Sequence, residues 1–165
     1  MLNVEPLDKW GIKEHEDEIR KTISESLPDY EKSQEGLLDT VMDYIEKKIF
    51  QVWIIARGYE KVAFMVAQIV PQKLPSNGGA PVVNRVFFIY AFRASVVVKN
   101  EEWEEGFTKI AELAASCRCE EIVCQVTNPI VERELVARGA KLTKNYRLNL
   151  ACLKEQSDAP EIKAP

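Results

Sequence analysis

The sequence predicts an α/β domain, a mixed central sheet flanked by helices, and three observations carry that prediction. Apolar residues recur at helical spacing in two early segments, first Ile19, Ile23 and Leu27, then Leu37, Leu38, Val41, Met42, Ile45 and Ile49. Between residues 51 and 93 the chain turns β-branched and aromatic, the composition of strands. After that, helical and strand-like segments alternate. With 165 residues, 46% of them hydrophobic and 29% charged, one domain with one sizeable core suffices.

Leu2-Asn3-Val4-Glu5-Pro6-Leu7 alternates apolar and polar and meets a proline, so it reads as a short entry or edge strand. A first helix is expected from about Lys13 to Leu27, ended by Pro28-Asp29, and a second from about Glu35 to Ile49. Arg57-Gly58-Tyr59-Glu60 has the glycine and polarity of a hairpin turn between strands 51–57 and 61–70. Pro71 to Arg85, with three prolines and the run Ser76-Asn77-Gly78-Gly79, reads as a long loop, a feature often tied to function. A strand from Val86 to Arg93 follows. The next helix starts at Asn100 as N-cap and buries Phe107, Ile110, Ala111 and Ala114. The remainder reads as a strand Glu121–Thr127, a helix Pro129–Arg138 stopped by Gly139, and a last strand Lys141–Leu150. The domain is expected to cover 1–153, and the charged, proline-containing 154–165 to be a disordered tail.

A net charge of −4 gives no general attraction to nucleic acid or anionic membrane, so neither is expected as a partner. The charge is uneven: 13 acidic and 7 basic residues in 1–50, 1 and 6 in 51–100, 12 and 9 in 101–165. Only the central block could form a local basic surface. No apolar run reaches the roughly 20 residues of a membrane span, and the N-terminus lacks signal-peptide character, so a cytoplasmic location is expected. Cys117, Cys119, Cys124 and Cys152 are then reduced thiols. A single CxC with irregular partners lacks the two-knuckle zinc pattern, so no metal is expected. The only histidine, His15, lies in Lys13-Glu14-His15-Glu16-Asp17-Glu18 and reads as part of a solvated helix face, which leaves no His-based catalytic triad.

Asn100-Glu101-Glu102-Trp103-Glu104-Glu105 is the most unusual stretch. It sets four carboxylates at the start of a helix that follows an apolar strand, where other proteins bind phosphate. The element order, together with Ala114-Ala115-Ser116-Cys117-Arg118-Cys119-Glu120-Glu121-Ile122 and the Asn128…Gly139 spacing, resembles the GNAT (Gcn5-related N-acetyltransferase) family. The likeness covers about 1–150 in element order and about 84–150 in sequence.

The resemblance implies a coenzyme A site whose pyrophosphate loop has two glycines. Aligned without gaps from Cys119, Val98, Glu101 and Trp103 take the loop's key positions, with Asn100 and Glu102 between them. A carboxylate and an indole thus replace both glycines. Two negative charges about 4 Å apart repel by roughly 4 kcal/mol at an effective dielectric of 20. The family's general-acid tyrosine corresponds to Leu135, which has no proton to give. Tyr146 and Arg93 are the substitute catalytic candidates.

Val86 to Arg93 followed by Glu101 to Phe107 also resembles small GNAT-like proteins of tailed phages and prophages, which implies a host-cytoplasmic or virion setting. The expectation is therefore a non-catalytic binding or structural module without a cofactor. Its partner would be a protein or a second copy of itself. The alternative is an atypical acetyl-CoA-dependent N-acyltransferase acting on an amine. Four side chains bear on the choice: Trp103 as core anchor or partner contact, Arg93 as ion-pair partner of the Glu cluster, and Trp53 and Tyr90 as core or cleft lining.

Overall fold

The computed structural model describes residues 1–32, 34–74, 82–126 and 129–141. Contacts divide the chain into two units, Met1–Pro129 and Ile130–Pro165. In the first, β1 (Leu2–Pro6), β2 (Gln51–Arg57), β3 (Glu60–Leu74), β4 (Val82–Ala94) and β5 (Glu121–Cys124) form one sheet in that spatial order. All neighbours are antiparallel except β4 and β5, which run parallel. The parallel pair needs a crossover, and α5 (Asn100–Ser116) supplies it.

Between β1 and β2 come α1 (Lys9–Glu14), α2 (Glu16–Ser26), the single turn α3 (Asp29–Lys32) and α4 (Leu37–Glu46). The helix expected from about Lys13 to Leu27 is α2, and α1, which begins at Lys9, precedes it. Asp8 caps α1 by accepting from Gly11 N at 2.8 Å, and the chain leaves helical geometry at His15 (φ −109°, ψ 22°).

Period-two alternation along the strands sorts the interior into two cores. On one face Ile19, Ile23 and Leu27, with Val41, Met42 and Ile45 of α4, pack on Val52, Phe64, Val66 and Ala91. On the other, Ile110 and Ala114 of α5 pack with Leu2, Trp53, Met65, Ala67 and Phe87. The helical stripes are those the sequence marks, with two exceptions. Ile49 is exposed because the backbone turns left-handed at Lys48 (φ 59°) and rotates the next residue away from the α4 face. Ala111 also faces solvent.

Two expectations need correction, one about the long central hairpin and one about His15. Residues 71–74 and 82–85 are strand rather than loop, since the ladder continues through Pro71↔Arg85, Gln72↔Asn84, Lys73↔Val83 and Leu74↔Val82. Prolines and polar side chains here hide an antiparallel pairing that the backbone still makes. His15 is not solvated but 6% exposed. Its ring lies 5.6 Å from Phe64, and its Nδ1 is 3.3 Å from Lys61 Nζ.

In the second unit the described part is α6 (Pro129–Ala137), which carries Leu135 and enters the unit from Pro129, followed by Gly139 with φ 88°. The left-handed backbone at that glycine ends the helix. Asn128, the last strand Lys141–Leu150 beyond Lys141, Tyr146, Cys152 and the 154–165 tail lie outside the described residues.

Candidate functional site

β4 changes character half-way along its length. From Val86 to Ile89 it is paired on both sides, with β3 and with Glu121–Cys124 of β5. At Tyr90 an extra residue enters: Val66 faces Ala91 while Ala67 faces Ile89, so Tyr90 and Ala91 together oppose one residue of β3. Such a bulge bends the strand and sharpens its twist. β5 ends opposite Ile89, at Cys124. From Ala91 to Ala94 the edge of β4 turned away from β3 has no strand partner among the described residues.

That open edge is held at one point. Phe92 N donates to Ser26 Oγ at 3.1 Å, and Ser26 Oγ donates to Phe92 O at 2.9 Å. One hydroxyl at the end of α2 thus serves both backbone groups of one β4 residue.

The chain then runs through 95–99 into α5. The first helical hydrogen bond is Trp103 N to Lys99 O at 3.0 Å. The amides of Asn100, Glu101 and Glu102 precede it and meet no acceptor among the described residues, as the start of a helix dictates. The N-cap is Lys99 rather than Asn100. The Lys99 amide donates to Glu102 Oε2 at 2.9 Å, but an ammonium side chain has no lone pair with which to return the bond.

The four carboxylates do not act alike. Glu102 folds back onto the Lys99 amide and also accepts from Arg57 Nη1 at the end of β2, so an opposite charge sits against it. Arg57 is shared, since its Nε also reaches Glu60 Oε2 at 3.1 Å. Glu105 accepts from Leu2 N at 2.5 Å, tying α5 to β1. Glu101 and Glu104 are exposed. Trp103 is half-buried, its ring stacked on Phe107 at 5.6 Å and tilted against Phe92 at 6.1 Å. Val98 is half-buried beside the α5-face core, and Asn100 is exposed.

Arg93 pairs with Glu25 of α2 and not with the Glu cluster; Arg57 takes that role instead. The sequence missed Arg57 because 45 residues separate it from Glu102, and only the sheet brings them together. Trp53 is buried against Phe87 at 5.5 Å. Tyr90 is half-buried, with Phe50 at 5.0 Å and Phe88 at 6.4 Å.

Among the cysteines, burial pushes the Cys124 thiol above its usual range. Cys119 is also raised, mainly by burial and then by Cys117, with Arg85 opposing. Neither is an activated thiolate. Among the described residues no group of three His, Cys, Asp or Glu side chains could hold a metal. No described helix is long and apolar enough to cross a membrane.

No protein-family model matches the sequence, and no curated protein matches it. Solved structures do. A predicted acetyltransferase with acetyl-CoA from Clostridium acetobutylicum superposes with a TM-score of 0.61 at 15% identity, over 92% of this chain and 97% of that one. The chain has the GNAT fold.

The AAC(6′)-Iy acetyltransferase in complex with a bisubstrate analogue, CoA-S-monomethyl-acetylneamine, gives 0.57 at 12% identity, over 90% and 97%. The aminoglycoside 6′-N-acetyltransferase AAC(6′)-Ih from Acinetobacter baumannii gives 0.52 at 15% identity, over 90% and 97%.

These likenesses correct two expectations, the non-catalytic module and the absence of any cofactor. Many of the structural neighbours are acetyltransferases, and some hold coenzyme A or acetyl-CoA. The physical premise of those expectations also fails at the helix start. Glu102 is matched by Arg57, Trp103 leans away onto Phe92 and Phe107, and three amides face no acceptor among the described residues.

Proposed function

We propose that this chain is an acetyl-CoA-dependent N-acyltransferase that acts on an amine. One observation carries the reading: the open edge of β4 past its bulge lies in the same strand-to-helix connection as the three unengaged amides of α5. Backbone donors at a helix start suit phosphate oxygens, and the edge of β4 at Ala91 to Ala94, without a strand partner among the described residues, suits the amides of an extended arm. Both chemistries occur in one molecule of coenzyme A.

The donor set fits the coenzyme. Asn100, Glu101 and Glu102 would offer their amides to the pyrophosphate, with Lys99 and Arg57 supplying positive charge. Arg57 lowers the electrostatic cost of the Glu residues by neutralising the carboxylate that folds back on the helix start. When bound, acetyl-CoA supplies the acyl group as a thioester. The protein's part is to bind, orient and present fixed backbone N–H groups along β4 to the polarised acyl oxygen. Arg93, engaged with Glu25, has a positioning role at most. The acidic balance of residues 1–50, which form α1 to α4, favours a cationic acceptor amine.

Calorimetric titration with acetyl-CoA, followed by a product assay across a panel of amines, tests the reading. Micromolar binding with acylated amine as product supports it. Absence of binding at millimolar coenzyme overturns it.

A further inference from the structure

α2 ends in a side chain whose hydrogen bonds do not serve its own helix. Thr22 and Ser24, earlier on α2, return their hydroxyls to the helix backbone, Thr22 Oγ1 to Glu18 O at 2.8 Å and Ser24 Oγ to Lys21 O at 3.1 Å. Ser26 instead reaches 66 residues along the chain to the N–H and C=O of Phe92. A strand residue points both backbone groups to one side, so Phe92 directs both away from β3 and into the edge that β5 leaves uncovered. The hydroxyl accepts from the N–H and donates to the C=O. The C=O of one amide and the N–H of the next, along an added strand or extended ligand, would make the same two bonds.

We infer that Ser26 is a gate on the coenzyme arm: its hydroxyl holds the Phe92 pair until two successive amides of the pantetheine arm take the pair over. The inference rests on the coenzyme reading above and adds a residue that sets its affinity.

The exchange is chemically balanced. One amide of the arm supplies a C=O to the Phe92 N–H and the next an N–H to the Phe92 C=O, since a trans amide points its two groups in opposite directions, and the hydroxyl rotates about one side-chain bond. It can then return to the carbonyl of Thr22, four residues back, as Thr22 itself does to Glu18. Half-buried Ser26 follows α2 directly into Leu27, which is extended (φ −73°, ψ 145°), so no helix must unwind for the rotation. Competition at this single point weakens coenzyme binding by about the net worth of a hydrogen bond, roughly fivefold in affinity.

The test is calorimetry on the full chain with three probes: coenzyme A, pantetheine, and adenosine 3′,5′-bisphosphate, which lacks the arm. Ser26→Ala is expected to bind coenzyme A and pantetheine about fivefold more tightly and the bisphosphate as the wild type does. Ser26→Thr keeps the hydroxyl and is expected to match the wild type for all three. Equal or weaker coenzyme binding by Ser26→Ala overturns the gate. So does a gain that appears equally with the bisphosphate, or a gain shared by Ser26→Thr. If wild type and both variants leave coenzyme A unbound, the coenzyme reading fails and the gate with it; if only the Ser26→Ala gain is missing, the coenzyme reading stands and the gate alone falls.

Discussion

The two halves of β4 share a strand, yet they are built for different tasks. Val86 to Ile89 is paired on both sides, and Phe87 is fully buried between α5 and the sheet. Ala91 to Ala94 follow a bulge, pair with β3, and have no strand partner on the other edge among the described residues, where one serine holds Phe92. The first half satisfies its backbone within the sheet and can only stabilise. The second keeps polar groups available next to a core that holds them still. Binding needs this combination, because donors on a rigid scaffold lose little freedom when a ligand arrives.

Phe87→Ala should cost about 3 to 5 kcal/mol of unfolding free energy, the toll of a large cavity in the closed half. Urea unfolding measures it, and a loss below about 1 kcal/mol would erase the contrast between the halves. Deleting Tyr90 attacks the other half. Without it, Ile89, Ala91, Phe92, Arg93 and Ala94 alternate regularly between the two faces, so the chain should still fold. Coenzyme binding should drop by tenfold or more, on the order of 1.4 kcal/mol, as the edge straightens toward β5. A variant that folds and binds normally would show that the bulge is not what opens the cleft.

Arg57→Ala leaves the Glu102 carboxylate without its cation. Coenzyme affinity should fall about tenfold at low salt, and Glu102→Gln in the same background should recover part of it. Arg93→Gln breaks an ion pair at the surface. It should shift stability by less than about 1 kcal/mol and leave coenzyme affinity alone, which separates the two arginines.

Cys124 gives the smallest effect, a matter of pH. Burial raises its folded pKa above the ordinary 9.0, so above pH 9 the unfolded chain releases this proton first and stability falls until the folded thiol also ionises. Cys124→Ser should flatten that alkaline decline, readable from melting temperatures between neutral pH and pH 10.

Much of the closed architecture was legible in the sequence. Ile19, Ile23 and Leu27, and Val41, Met42 and Ile45, repeat at the helical period, and nothing in the tertiary structure competes with that pattern. The site was far less legible. Tyr90 sits in an unbroken apolar run with no glycine or proline to announce a bulge, which appears only when β3 is laid alongside. His15 looked solvated because its neighbours are charged, yet one position in a charged run can face inward while the others face out. Glu101 to Glu105 looked like a uniform block of charge, whereas helical geometry sends Glu102 and Glu105 back to the protein and Glu101 and Glu104 to solvent. The partners of those two carboxylates, Arg57 and Leu2, come from strands that only the folded sheet brings close.

Arg57 divides its attention between Glu60 at the tip of the β2–β3 hairpin and Glu102 at the head of α5. The tip is therefore an electrical neighbour of the helix start. Any change there that loosens Glu60, whether a substitution, a covalent modification or a bound cation, lets the guanidinium commit to Glu102. A solvent-facing turn, the kind of place where sequence drifts freely, can in this way tune how negative the helix looks to an approaching phosphate without touching a residue of the cleft.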